Sequence, residues 1–236
     1  MITLAFDSTA KVASLAITDG EKLLALYNVD NGLTQSELLL PMAENLLKTL
    51  KLDFSDIDAY AVTVGPGSFT GVRIGVSLVK GLAFNQDKPC IEVSTLEALA
   101  ENLSPLDGII SPCMDARRGQ VYNALFECRD GILTRLTPDR AISTEELAKE
   151  LLGYSDRDIY LSGDGYGAAY TPLSNHGVKL KDTPPLLINQ NAYSVALCAL
   201  RKYDRGEITS DKEIRPTYLR MPQAERERLE REKAKG

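Results

Sequence analysis

Thr63-Val64-Gly65-Pro66-Gly67-Ser68-Phe69-Thr70-Gly71-Val72-Arg73-Ile74-Gly75 is the stretch on which the reading of this chain turns. It joins a strand-like apolar run, Ala59 to Val64, to a helix predicted over about Thr70 to Asn85. Glycine gives up more backbone freedom on folding than any other residue, so four glycines between Gly65 and Gly75 imply a geometry that needs them. Gly65 and Gly67 permit positive φ on either side of Pro66, whose own φ is fixed. Gly71 and Gly75 lie one helical turn apart. That leaves one helix face bare of side chains, open to something pressing close.

The segment looks like a phosphate loop and fails the tests for one. A P-loop continues from its last glycine into Lys and Ser or Thr, whereas Val72 and Arg73 follow Gly71. A dinucleotide fingerprint places a third glycine where Thr70 stands. Pro66 also removes one N–H from the turn. A tight strand-to-helix turn with a close helix contact fits these residues better than a phosphate cradle.

Working outward, the chain of 236 residues has room for one or two compact domains. Its 44% hydrophobic content suffices for a core, and the net charge of −6 argues against a large bare nucleic-acid surface. Cys90, Cys113, Cys128 and Cys198 form no CxxC pair, so neither a zinc knuckle nor a redox motif is indicated. The single histidine, His176, sits in a polar stretch and reads as a surface loop residue. One histidine cannot make a His-pair metal site, and nothing beside it suggests a Ser-His-Asp triad. The opening strand carries no basic leader, and no apolar run approaches the ~18 residues of a membrane span. A reduced, cytoplasmic protein without membrane attachment is expected.

Ile2–Asp7, Val12–Thr18 and Lys22–Val29 read as strands. Ala13, Leu15 and Ile17 alternate with Ser14 and Thr18, and Asp19-Gly20 marks a hairpin. Thr34-Gln35-Ser36-Glu37 reads as a capping box opening a helix that is apolar around most of its girth, with a bend or break expected at Pro41. The helix after the glycine-rich turn is also apolar around much of its circumference. A strand at Cys90–Val93 and a helix from Ser94 to about Asn102 complete the first half, and Ser104 to Gly108 is the best boundary. The order then repeats. Strands are predicted at Ile109–Asp115, Gln120–Cys128 and Ile132–Leu136, a helix from Ser143 to about Leu152, and a strand at Asp158–Ser162. The stretch from Gly163 to about Leu187 is mostly loop, and a helix follows from Asn191 to near Gly206. The divisions are residues 1–104, 105–213 and an extended, then highly charged, tail over 214–236.

Three strands, a helix, a strand and a helix, twice over, is the order of the actin-like ATPase fold of sugar kinases, acetate kinases and heat-shock chaperone ATPases. Within it the chain resembles the bacterial TsaB (YeaZ) family. The matching residues are Leu4–Thr9, Ser36–Met42, Gly65–Gly75, Met114–Tyr122 and Pro216–Arg220, in order from end to end. The resemblance implies an α/β protein of the actin-like (ribonuclease H-like) class with two similar βββαβα subdomains, the second abbreviated. It implies a role in making threonylcarbamoyladenosine beside the anticodon of tRNAs. In that family the chemistry, the metal and the nucleotide belong to the TsaD paralogue, a small ATPase, TsaE, joins the complex, and the TsaB-like chain is the non-catalytic partner. Such chains also form homodimers through the surface offered to TsaD, a bundle of the first two helices. No cofactor or metal of its own is implied, and contact with tRNA is implied only through the complex.

Two features of the residues agree. The paralogue's His pair lies on the helix after the strand that follows the glycine-rich segment, and here that region holds Ser94, Thr95 and Leu99. The first two helices also carry more apolar surface than one core can absorb. The expected docking residues are Leu38, Leu39, Met42 and Leu46 on the first helix. On the second they are Gly71, Arg73, Gly75, Val76, Val79 and Ala83. Arg73 opposes the helix dipole. It either pairs with a carboxylate on the partner or within the bundle, or lies with its stem over apolar surface. One departure from common family form is Gln35, where a histidine is often seen.

The strongest alternative is a working ATP-dependent hydrolase or kinase. Asp7, Ser8 and Thr9 stand where actin-like ATPases hold phosphate and metal-bound water. Gly163 and Gly165 lie where they hold adenosine. The short second half and the missing lid favour a vestigial nucleotide site. A peptidase is disfavoured by the lack of a His-paired nucleophile. Arg117-Arg118 and the tail read as a solvated strand end and a loose terminus rather than as tRNA contacts.

Overall fold

The computed structural model describes residues 1–220. Strands β1 (Ile2–Asp7), β2 (Ala13–Asp19) and β3 (Lys22–Val29) form an antiparallel meander. After helix α1 (Gln35–Leu50), strands β4 (Ala59–Thr63) and β5 (Cys90–Val93) join parallel to β1, giving the order β3-β2-β1-β4-β5. Helix α2 (Phe69–Ala83) crosses from β4 to β5, and α3 (Thr95–Glu101) follows.

The alternation of a strand puts successive residues on opposite faces of the sheet, and here it also sorts them by size. Leu4, Phe6, Leu15, Ile17, Tyr60 and Val62 form the core under α1 and α2. Ala5, Ala16, Ala59 and Ala61 make the opposite face, which receives the small residues of a helix from the far end of the chain, α7 (Ala192–Asp204). Alanine on both surfaces lets the helix approach closely. Ser14 fixes its entry, its hydroxyl oxygen accepting from the Ala192 N–H at 2.7 Å.

The second half repeats the plan around β6 (Gly108–Arg117). Strands β7 (Gln120–Asn123), β8 (Phe126–Arg129), β9 (Ile132–Arg135) and β10 (Arg140–Ser143) precede α4 (Thr144–Leu151) and β11 (Ile159–Ser162). Then come α5 (Tyr166–Asn175) and the short α6 (Pro185–Ile188). The order β9-β8-β6-β11 matches β3-β2-β1-β4, and no described strand stands where β5 stands in the first half. The abbreviated second half expected from the sequence is therefore present.

Five expectations need correction. Gln120–Cys128 is not one ladder but β7 and β8. Both keep one register along β6 (Cys113 opposite Asn123, Ile110 opposite Phe126), and the break at Ala124-Leu125 falls opposite Ser111 and Pro112, where proline has no N–H to donate. The loop predicted from Gly163 holds the ten-residue α5, hidden from a sequence reading by Gly165, Gly167 and Pro172. Helix α1 runs unbroken through Pro41, which sits on its exposed side. Residues 192–204, assigned to the second subdomain, pack on the first sheet instead, and Ile214 is buried in the first core. Gly67 does not take positive φ, although Gly65 does, at +117°. The charged stretch after Arg220 lies outside the described residues.

Candidate functional site

The glycine-rich turn is built around the β1–β2 loop. Ser68 caps α2, its hydroxyl accepting from the Gly71 N–H at 3.2 Å. A Cβ on Gly67 would meet the Thr9 carbonyl oxygen at 2.6 Å. A Cβ on Gly71 would run into the Ser8 carbonyl, and one on Gly75 into the Ser8 hydroxyl. The bare helix face predicted from the sequence exists, but Ser8 of the same chain fills it and donates from its hydroxyl to the Gly71 carbonyl at 2.8 Å. Gln35 steadies the same loop, donating to the carbonyls of Ala10 and Lys11 at 2.9 and 3.2 Å.

Asp7, Ser8 and Thr9 are fully buried. The Asp7 Oδ1 accepts from the Thr9 N–H at 2.9 Å and from the Thr9 hydroxyl at 2.6 Å, while its Oδ2 has no partner. Burial pushes the Asp7 carboxyl up to about 6 despite those hydrogen bonds. Gly163 and Gly165, at the expected adenosine position, are pressed onto β6. A Cβ on either would strike the Cys113 carbonyl, and the Gly165 N–H donates to that carbonyl at 2.9 Å. Between them, desolvation raises the Asp164 carboxyl, and the Asp115 N–H donates to it at 3.1 Å.

These two groups of residues flank a cleft of about 480 Å³. Its lining includes Lys11, Pro66, Gly67, Asp115, Arg117 and Asp164, with Thr217 to Arg220 closing one side. That closing segment is a strap across both halves. The Thr217 N–H donates to Val64 O at 2.7 Å. Tyr218 stacks on Phe69 with ring centroids 4.8 Å apart, and its hydroxyl accepts from Arg73 Nε at 2.8 Å. Arg220 donates to the carbonyl of Ala116 at 3.3 Å and to the Gln120 side chain. Sequence reading missed the strap and the cleft residues Lys11 and Asp115. Nothing local to these segments signals that they meet.

Arg73 meets no carboxylate within the bundle among the described residues. Its guanidinium lies over Phe69, 3.9 Å from the ring centroid, and is held by Tyr218. Most of the other expected docking residues are likewise spoken for. Leu39, Met42, Leu46, Val76, Val79 and Ala83 are buried in the protomer's own core, as are Gly71 and Gly75 under Ser8. What remains at the surface of this face is Leu38 on α1 and the stripe Ile74, Leu78 and Leu82 on α2, all partly buried. Leu40 and Phe84 are more exposed, Phe84 at 70%. Gly81, absent from the expected set, has open space where a Cβ would be.

The cysteines are all free and buried, and burial lifts the Cys113 thiol to about 12, far from a nucleophile's range. His176 is exposed at the end of α5, its Nδ1 2.8 Å from the Pro172 carbonyl oxygen. Among the described residues, no group of three or more His, Cys, Asp or Glu side chains could hold a metal, and no helix is long and apolar enough to cross a membrane.

Residues 34–225 match the family model described as TsaD, tRNA N6-adenosine threonylcarbamoyltransferase. The chain is 37% identical, over 69% of its length and 71% of the relative's, to the Bacillus subtilis tRNA threonylcarbamoyladenosine biosynthesis protein TsaB. It is 28% identical to the Escherichia coli protein of that name over 93% and 95% of the two chains. The solved structure of YeaZ from Pseudomonas aeruginosa superposes with a TM-score of 0.76 at 26% identity, covering 92% of this chain and 99% of that one.

Proposed function

From the premise that this chain belongs to the TsaB family, we propose that it serves threonylcarbamoyladenosine biosynthesis as a subunit without chemistry of its own, seating the TsaD transferase on its α1–α2 face. The observation that carries this reading is the stripe Ile74, Leu78 and Leu82. These residues repeat every helical turn along α2 and stay partly exposed, while Gly75, Val79 and Ala83, each one position further on, are sealed in the core. A stripe of that kind buries its remaining apolar area only against a second molecule. Gly81 beside it lets a partner's backbone come close.

The cleft supports the non-catalytic part. Asp7 is walled in, Gly163 and Gly165 are pinned to β6, and the strap occupies one side. In this reading ATP and metal sit on the partner subunits, TsaD and TsaE, and the site of action is the cytoplasm. In the absence of TsaD the same apolar stripe closes a homodimer.

The test is reconstitution. TsaD and TsaE with unmodified tRNA are expected to give little threonylcarbamoyladenosine until this chain is added, and the chain alone is expected to turn over no ATP. Full modification without the chain, or ATP turnover by the chain that disappears in Asp7→Asn, would overturn the assignment.

A further inference from the structure

The described arginines fall into two groups. Arg129, Arg135, Arg140, Arg157, Arg201 and Arg205 each stand in an ion pair with a carboxylate. Arg73, Arg117, Arg118, Arg215 and Arg220 stand in none among the described residues. Four of these, Arg73, Arg117, Arg118 and Arg220, belong to the three segments that meet at the mouth of the cleft: the start of α2, the β6–β7 turn, and the strap. Arg215 stands two residues before the strap, its backbone N–H on the Glu92 carboxylate at 2.7 Å. Lys11 lines the same cleft. In a chain of net charge −6 this segregation needs a reason.

The way these cations are held points further. Arg73 is fixed by a phenol oxygen, and Arg220 by a carbonyl and a carboxamide. Neutral acceptors orient a guanidinium without cancelling its charge, as a preorganised anion site requires. Flat aromatic surface is interleaved with them. Tyr218 is 41% exposed and stacked on Phe69, and Tyr122 lies beneath Arg220, 5.8 Å from its guanidinium carbon. Asp115 and Asp164 line the same cleft and repel an anion entering it. A polyanion is therefore expected to run across the mouth rather than insert into the cleft, which also disfavours a nucleoside triphosphate.

We propose that this mouth is an RNA-binding rim, taking tRNA phosphates on Arg73, Arg117, Arg118 and Arg220 and offering Tyr218 to an unstacked base. The proposal rests on the reading of the chain as a tRNA-modification subunit and extends it from indirect to direct contact with the RNA. Phosphate contacts of this kind set position rather than sequence, and each adds to the salt dependence of binding.

The test uses the full chain together with its transferase partner and a labelled unmodified tRNA transcript, titrated by fluorescence anisotropy over a range of salt. The double variant Arg117→Glu with Arg118→Glu changes two exposed turn residues. It is expected to weaken tRNA binding about tenfold or more at low salt and to flatten the salt slope. A control with the same change of charge, Arg129→Glu with Arg205→Glu, is expected to bind as the parent does. Tyr218→Ala should weaken binding of a single-stranded oligonucleotide more than that of a duplex. Parental tRNA affinity in the rim variant, or an equal loss in rim variant and control, overturns the proposal. Gel filtration of the same samples reports assembly separately. Loss of the partner from the rim variant would assign the patch to an acidic protein surface, whereas an intact complex with parental tRNA affinity would leave the subunit reading standing and remove only the rim.

Discussion

The two faces of α2 share one helix and one apolar composition, yet they have opposite fates. The inner face, Gly71, Gly75, Val76 and Val79, is closed by Ser8 and by the core under α1. The outer face, Ile74, Leu78 and Leu82, meets nothing that covers it fully. Hydrophobicity does not separate the two, and the Gly71–Gly75 spacing marks the inner face only as one that something presses against, without saying what. What separates them is the β1–β2 loop, which reaches α2 from more than sixty residues away and takes the glycine groove for itself. Substitutions on the two faces should therefore fail in different assays.

The largest effects belong to the inner face. Val79→Arg places an unpaired charge in a fully buried site and should cost about 4–5 kcal/mol or more, leaving the chain largely unfolded by circular dichroism. Gly71→Ala drives a methyl group into the Ser8 backbone, which cannot swing aside, and should cost around or beyond 3 kcal/mol in urea melts. A well-folded Val79→Arg protein that merely loses its partner would show that the inner face had been misassigned.

Next comes the carboxylate at the loop that seals that face. Asp7 titrates at about 6 in the fold against 3.8 for the unperturbed group, through desolvation, with Thr9, Thr63 and Asp164 as its neighbours. A raised carboxyl stabilises the fold fully only when protonated. Its contribution is present below about pH 4 and is lost as pH rises through about 6. Asp7→Asn removes that loss and lets the amide donate to the unpartnered Thr63 hydroxyl. It should therefore stabilise the protein by about 2–3 kcal/mol at pH 7.5 and by almost nothing at pH 4. Thermal melts at the two pH values decide this. A destabilised Asp7→Asn at pH 7.5 would mean the charge is used in the fold.

The smallest effect lies on the outer face. Gly81→Ala has room for its methyl group and should stabilise the isolated chain by about 0.5–1 kcal/mol through helix propensity. The same methyl should weaken association with TsaD, read by calorimetry. Unchanged association would remove close backbone approach at Gly81 from the account.

Much of the fold was legible because it is written locally. The capping pairs are in place: Glu37 accepts from the Thr34 N–H at 2.9 Å, and Ser143 accepts from the Glu146 N–H at 3.2 Å. The Asp19-Gly20 turn and the large-against-alanine alternation of β1, β2 and β4 are equally local. The recurrence of one element order in both halves pointed to the fold itself. Where sequence reading went wrong, the cause was distant. The faces of α2 were assigned wrongly because Ser8 is far away in sequence, and α7 was placed in the second subdomain because its alanines fit a sheet formed at the other end of the chain. The strap was invisible for the same reason, since Tyr218 meets Phe69 and Arg73 across about 145 residues. Helix α5 was lost to its own glycines and proline, which tertiary packing of Ala169 and Leu173 overrides.

The central claim is that the partly exposed stripe of α2, and not its sealed face, receives the transferase. Leu78→Arg tests it most directly, because Leu78 is only partly buried and the charge can reach water without unfolding the chain. Sedimentation of the mixture with TsaD should show the two proteins separate, with the variant's own melting curve close to the parent's and tRNA modification lost. A variant that still co-sediments with TsaD and supports full modification would contradict the account.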